Sequence, residues 1–234
     1  MTARRLRDAV CDANLELVRR GLVIESFGNA SGIDRARGIV AIKPSGVAYD
    51  QLTPSRLVLT DLAGRVLEGA LRPSSDLPTH LELYRAFPAI GGVAHTHSRF
   101  ATAWAQAGRE IPCLGTTHAD YFPGPIPITR PMTPAEIRRA YEVNTGRVIA
   151  RRFARLDPAV IEAVLVRGHG PFSWGASAAD AVHTAYVLEE LARLAWCTIT
   201  LNPEARPIDA ALRRKHFLRK HGPGAYYGQR PSGR

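Results

Sequence analysis

The sequence predicts an α/β fold, a mostly antiparallel sheet with helices on its faces, in a single domain of 234 residues. Three observations predict it. Apolar residues recur at three- and four-residue spacing near both ends of the chain. Short β-type segments both cluster together and alternate with helical ones, the pattern of a sheet covered by helices. Two of those segments pair across Ala63-Gly64, a connection short enough to demand an antiparallel pair. No repeat, low-complexity tract or linker divides the chain, and 45% hydrophobic residues suffice for a sizeable core.

The elements follow in order. Leu6, Ala9, Val10, Ala13, Leu17 and Val18 form one apolar face of a helix, with Gly21 as its stop. Residues 22–24, 38–42 and 57–60 read as strands, the last paired with 65–67. Pro78 reads as the first residue of a helix running to about Phe87, with Asp76 or Leu77 before it. Residues 92–96 form a short buried strand, and 100–107 a helix ended by Gly108. Residues 134–156 are mostly helical, with a break expected near Gly146. A strand over 163–166, a Gly-rich turn over 168–170 and a segment over 171–174 come next. Ser177 caps a long helix, with Asp180 reaching back to its first turn. A last helix over 208–221 leads to a tail carrying Tyr226 and Tyr227.

Composition narrows the function. The net charge of +10 suits nucleic acid or any other anion, but the arginines spread over the whole chain and mark no single stripe. No recognition helix, finger or aromatic platform accompanies them, so a nucleic-acid partner is not expected. No run approaches a membrane span, and the basic start lacks the apolar stretch of a secretory signal. Cys11, Cys113 and Cys197 are far apart and odd in number, which fits a reducing cytoplasm.

The clearest chemical signal is His95-Thr96-His97 at the end of an apolar strand. Residues i and i+2 of a strand share one face, about 6.6 Å apart along the chain, so both imidazoles can meet one metal ion. Catalytic zinc takes three protein ligands and leaves a position open. Of the other histidines, His169 is the best third ligand, because Gly168 and Gly170 beside it admit close approach. His80 and His183 lie inside expected helices and read as packed or helix-face residues. Three loops suit an anion: Gly28-Asn29-Ala30-Ser31-Gly32, Lys43-Pro44-Ser45-Gly46 and Arg72-Pro73-Ser74-Ser75-Asp76. Each can turn backbone N–H groups and hydroxyls toward a phosphate, and Lys43 adds charge.

Taken in order, Gly28-Asn29, Lys43-Pro44-Ser45-Gly46, Pro73-Ser74-Ser75-Asp76, His95-Thr96-His97-Ser98, Gly115-Thr116-Thr117-His118-Ala119-Asp120-Tyr121, His169-Gly170-Pro171-Phe172 and Ala225-Tyr226-Tyr227-Gly228-Gln229 resemble the L-ribulose-5-phosphate 4-epimerases of the class II aldolase/adducin superfamily. The resemblance implies a class II aldolase-like domain over 1–229, with 230–234 as a short extension. It implies zinc, or another divalent metal, on His95, His97 and His169 with Asp76 at or near it. Gly28, Asn29, Ser45, Gly46, Ser74 and Ser75 are implied to hold a sugar phosphate, with Lys43 among them, and Asp120 and Tyr227 to form an acid/base pair. It also implies a homotetramer with active sites between subunits. An L-fuculose-phosphate type aldolase is the nearest alternative; those enzymes commonly place a glutamate base near the position of Asp76. Two departures stand out: Arg167-Gly168 precedes the third histidine where a His-Ser or Asn-type pair is expected, and five residues follow the usual end.

Overall fold

The computed structural model describes residues 2–228. Gln229 of the tail motif and the extension over 230–234 lie outside the described residues. Among the described residues the sheet has seven strands, β1 (Asn29–Asp34), β2 (Ile39–Ile42), β3 (Val58–Asp61), β4 (Val66–Glu68), β5 (Gly92–His95), β6 (Ala163–Leu165) and β7 (Pro171–Gly175). Their spatial order is β4-β3-β2-β1-β5-β7-β6, and every neighbouring pair is antiparallel. Among the described residues, seven α-helices surround it: α1 (Ala3–Arg19), α2 (Leu77–Ala86), α3 (Arg99–Ala107), α4 (Thr116–Ala119), α5 (Pro134–Arg152), α6 (Ala178–Leu201) and α7 (Ala210–His221).

The two-residue period of the strands sorts their side chains to two cores. Ala30, Ala41, Leu59 and Ala94 face α1 and α6, which bring Leu6, Val10, Leu17 and Val182. Val40, Ile42, Val58, Val93, Phe172 and Trp174 face α2 and α5, which bring Leu77, Leu81, Tyr84, Ile149 and Phe153. A third cluster around Trp104, Leu165 and Leu188 closes the β6 edge with α3 and the later turns of α6.

The structure corrects the sequence reading at three places. Residues 22–24 are not a strand. The N–H of Gly21 bonds Val18 O and that of Leu22 bonds Leu17 O, the paired reverse bonds of a helix end that needs a left-handed residue. Gly21 supplies it, with φ 66°, and the chain turns on through Phe27 N–H to Ile24 O instead of extending. Second, Gly28-Asn29-Ala30-Ser31-Gly32 is no loop: from Asn29 onward it is β1, fully buried and central in the sheet. Asn14 of α1 grips it, donating to Ala30 O at 2.9 Å and accepting from Ala30 N–H at 2.9 Å. Third, the break in α5 falls at Ala140 (φ −165°, ψ 72°), not at Gly146. Gly146 is instead the contact point with α2, where a Cβ would sit 2.4 Å from Glu82 Cβ.

Candidate metal centre and anion cleft

His95 ends β5, and antiparallel pairing with Phe172 of β7 and Asn29 of β1 fixes its height on the sheet. Its ring stacks on Phe172, centroids 4.1 Å apart at 13°. Its Nδ1 lies 2.9 Å from Pro171 O, a group that only accepts, so Nδ1 donates there and Nε2 is the nitrogen turned toward the cluster. His97 follows just past the strand and brings its Nε2 to 3.2 Å from that of His95. The β6–β7 turn presents His169, with its ring centroid 4.7 Å from His95 and 5.1 Å from His97. Gly170 makes this possible, since a Cβ there would press to 2.9 Å from Thr96 O. One ligand atom from each histidine lies within 4.8 Å of the others.

These residues fit a divalent cation. Two nitrogens held tetrahedrally about 2.05 Å from one zinc stand about 3.3 Å apart, close to the His95–His97 separation. Burial, with the charge of the neighbouring imidazoles adding, pushes His169 down to about 3 and lowers His97 as well. Both therefore stay neutral, which is the ligating form. Asp76 stands at the start of α2 and accepts from Asn29 Nδ2 at 2.7 Å. Burial acts to raise its carboxyl, but His95, His80 and the Asn29 bond outweigh it and hold the group below the usual range.

The triad opens into a cleft of about 410 Å3 lined by Gly28, Asn29, Lys43, Ser45, Gly46, Ser74, Ser75 and Asp76. Two of its loops are tied side by side: Ser45 N–H bonds Arg72 O, Ser74 N–H bonds Lys43 O, and Pro44 pairs with Pro73. Lys43 is 2% exposed, its ammonium 4.7 Å over the Tyr49 ring, with no carboxylate paired to it among the described residues. Burial lowers its pKa. A buried cation among hydroxyls is the chemistry of an anion site. Gly28 admits the chain here: with φ 92°, it passes where a Cβ would lie 3.1 Å from His95 O.

Every substrate- and metal-site residue expected from the sequence thus meets in one place. Asp120 and Tyr227 do not line it. Asp120 follows α4 and is gripped by α7: Arg219 donates from Nε at 2.8 Å and Nη2 at 2.5 Å, and His216 Nδ1 lies at 3.0 Å. Burial favours a higher pKa for Asp120, but Arg219 and His216 prevail and keep it ionised. The Arg219 guanidinium also covers the Tyr227 ring at 4.9 Å, so the pair shares one basic cluster on α7. His80 is packed, as expected, with Nδ1 2.7 Å from Ser31 Oγ; His183 is an exposed helix residue. Arg167 lies over the end of α3 near Gly108 and is not part of the cleft lining.

Sequence reasoning missed Tyr141 and Glu142 on α5, and Ser26 and Phe27 before β1, all of which line the cleft. Nothing local marks Tyr141, since an aromatic inside a helix is usually a packing residue. Its hydroxyl reaches 3.3 Å from His169 Nδ1, and burial, with Asp76 and Glu142 adding, raises its pKa.

Comparison with known proteins gives the family and the fold. The class II aldolase and adducin N-terminal domain family matches residues 8–196. An L-fuculose 1-phosphate aldolase superposes with a TM-score of 0.76 at 23% identity, covering 91% of this chain and 94% of that one, a likeness of fold. YgbL of Klebsiella pneumoniae, named as a candidate aldolase/epimerase/decarboxylase, gives 0.71 at 27% identity over 92% of this chain and 99% of its own. L-Fuculose-1-phosphate aldolase of Thermus thermophilus gives 0.65 at 25%, over 87% and 99%. With most of its length matched and its fold shared with these proteins, the chain belongs to the class II aldolase/adducin family.

Proposed function

We propose that the protein interconverts L-ribulose 5-phosphate and D-xylulose 5-phosphate by breaking and re-forming the C3–C4 bond. The observation that carries this reading is the union, in one cleft, of three clustered imidazoles with a buried lysine and serine hydroxyls. His95, His97 and His169 would hold a divalent metal, zinc by the chemistry of the donors, with Asp76 beside it. When bound, such an ion supplies Lewis acidity to the oxygens of a ketose. Lys43, Ser45, Gly46, Ser74 and Ser75 bind the phosphate, while Gly28 and Asn29 shape the floor between.

Inversion at C4 by direct proton removal is unfavourable, because that hydrogen is not next to the carbonyl. Cleavage frees an aldehyde whose phosphate stays anchored at Lys43 while its carbonyl turns over. As the C3–C4 bond breaks, the C4 hydroxyl gives up its proton on one face and the bond's electron pair stays with the fragment that carries the ketone. When the bond re-forms, the new C4 hydroxyl takes a proton on the other face, so two acid/base groups are required, each typically contributing about 10²–10⁴-fold. Asp120 and Tyr227 fill these roles. They stand outside the cleft of their own chain, and in this reading they serve the cleft of a neighbouring copy within a homotetramer. The three cysteines are free, and no described helix is long and apolar enough to cross a membrane; both support a cytoplasmic enzyme.

The fuculose-phosphate aldolases among the structural relatives favour a second reading, an aldolase that stops after cleavage. Incubation of zinc-loaded protein with carbon-13-labelled L-ribulose 5-phosphate separates the two. Chelator-sensitive appearance of D-xylulose 5-phosphate is expected. Net release of an aldehyde without the epimer supports the aldolase, and no conversion at all overturns both.

A further inference from the structure

We propose that Tyr141 is a positioning residue for the third imidazole, its hydroxyl accepting the Nδ1–H of His169 so that Nε2 is left bare for a metal. This inference rests on the reading of the triad as a metal centre and extends it to a residue outside the triad. The phenol oxygen stands 3.3 Å from Nδ1, with the two rings 6.0 Å apart and tilted by 40°. A phenol both donates and accepts, so two arrangements satisfy that distance. If Tyr141 donates, the proton of neutral His169 sits on Nε2 and the nitrogen left for the cluster cannot ligate. If Tyr141 accepts, Nε2 is free.

His95 shows which arrangement the site is built for. Its Nδ1 faces Pro171 O at 2.9 Å, which settles its tautomer outright, and its Nε2 faces the cluster. Tyr141 gives His169 the same kind of backing, as outer partners of ligating histidines commonly do. It has one more consequence: having accepted from His169, the phenol keeps its own O–H for an oxygen of a ligand in the cleft it lines.

The contact is built, not incidental. α5 leaves helical geometry at Ala140, immediately before the tyrosine. The backbone carbonyls around that break are taken up by side chains, Asn144 Nδ2 bonding Glu136 O at 2.8 Å and Thr145 Oγ1 bonding Tyr141 O at 2.9 Å. From the other side, Thr79 Oγ1 of α2 donates to Glu142 O at 2.7 Å. The segment carrying Tyr141 is therefore braced within α5 and tied by Thr79 to α2, the helix that Asp76 precedes.

Tyr141→Phe keeps the ring and removes only the oxygen. Cobalt(II) titration of chelator-stripped protein, followed by its visible absorption, reads the ligand field directly, while thermal unfolding of the stripped protein reads the fold. The expected result is cobalt affinity weakened by about 10–100-fold, with an altered spectrum and an unchanged stripped-protein Tm. If wild type binds cobalt and Tyr141→Phe binds it equally well, this inference is overturned while the metal centre stands. A loss of affinity matched by a lower stripped-protein Tm overturns it in favour of general loosening. A wild-type protein that binds no cobalt overturns the metal centre and this inference together.

Discussion

Replacing Gly146 by alanine tests whether the contact between α2 and α5 holds the cleft together. The added Cβ falls 2.4 Å from Glu82 Cβ and 3.1 Å from Thr79 O. Carbon atoms rest about 3.5–4.0 Å apart. Glu82 Cβ is bonded to the α2 backbone, so no rotamer relieves the overlap and the helices must part by about 1 Å. Parting them also stretches the bond from Thr79 Oγ1 to Glu142 O. Overpacking costs about 1–3 kcal/mol and the weakened hydrogen bond about 1 kcal/mol, while the better helix propensity of alanine offsets about 1 kcal/mol. The net destabilisation is about 1–3 kcal/mol, a fall in Tm of about 2–12 °C for a chain of this size. Calorimetry at one fixed protein concentration measures it, with Gly124→Ala as control, since a Cβ there meets nothing within 4 Å. Asp76 and Tyr141 ride on the two displaced helices, so metal affinity is expected to fall as well. A Gly146→Ala protein that melts with wild type refutes the packing argument.

Three further outcomes are expected. His97→Asn removes a ligand outright and should weaken zinc or cobalt binding by more than about 100-fold, beyond the range for outer partners; undiminished metal content after dialysis counts against the triad. Lys43→Met should weaken binding of a sugar phosphate by about 10–100-fold, the value of a charge-assisted bond, and calorimetric titration giving an unchanged affinity removes Lys43 from the anion site. Glu162 is pushed up to about 7 by burial and by Asp180, against a hydrogen bond from Thr184. Folded chain keeps that proton between the ordinary 4.5 and about 7, where unfolded chain has lost it, so its contribution to stability falls as pH rises through this window and levels off above it. Glu162→Gln should therefore stabilise by about 1 kcal/mol near pH 8, reduced from the full shift because the residue is partly exposed, and by little near pH 4. Equal gains in denaturant titrations at both pH values refute it.

What the sequence revealed and hid follows from the range of the forces involved. The three histidines were legible because His95 ends a buried strand and His97, two residues on and just past it, still meets the same point, and because glycines flank His169. The polar loops were legible from Ser and Gly clusters beside Lys43. β1 was hidden because Asn-Ala-Ser-Gly-Ile-Asp has poor strand propensity; it is a strand because β2 and β5 pair with it on both sides and Asn14 clamps it. Small residues suit that central position, since a Cβ on Gly32 would meet Val10 Cγ2 at 2.9 Å. The Ala140 break was misplaced to Gly146 for a similar reason. Glycine there serves close helix packing, and the break is sustained by Asn144 and Thr145, whose bonds only the folded chain provides.

The proposed division of the chemistry between two clusters has a structural logic. Asn29, Lys43 and His95, all buried, sit at or just past strand ends, and Asp76 stands at a helix start. Asp120 and Tyr227 depend on α7, a helix of 12 residues with none buried. A helix of that length has little stability in water by itself, and α7 is joined to its own chain chiefly by the grip of His216, Arg219 and His221 on Asp120. Such a helix gains most from apolar surface supplied by another molecule, which Leu212 and Leu218, both substantially exposed, are able to take up. In the proposed reaction that is an advantage: an acid/base pair arriving from a neighbouring copy can face the side of the substrate that the metal and phosphate residues leave open. Assembly would then complete the site, and dilution to the single chain should abolish turnover while leaving the affinity for cobalt intact.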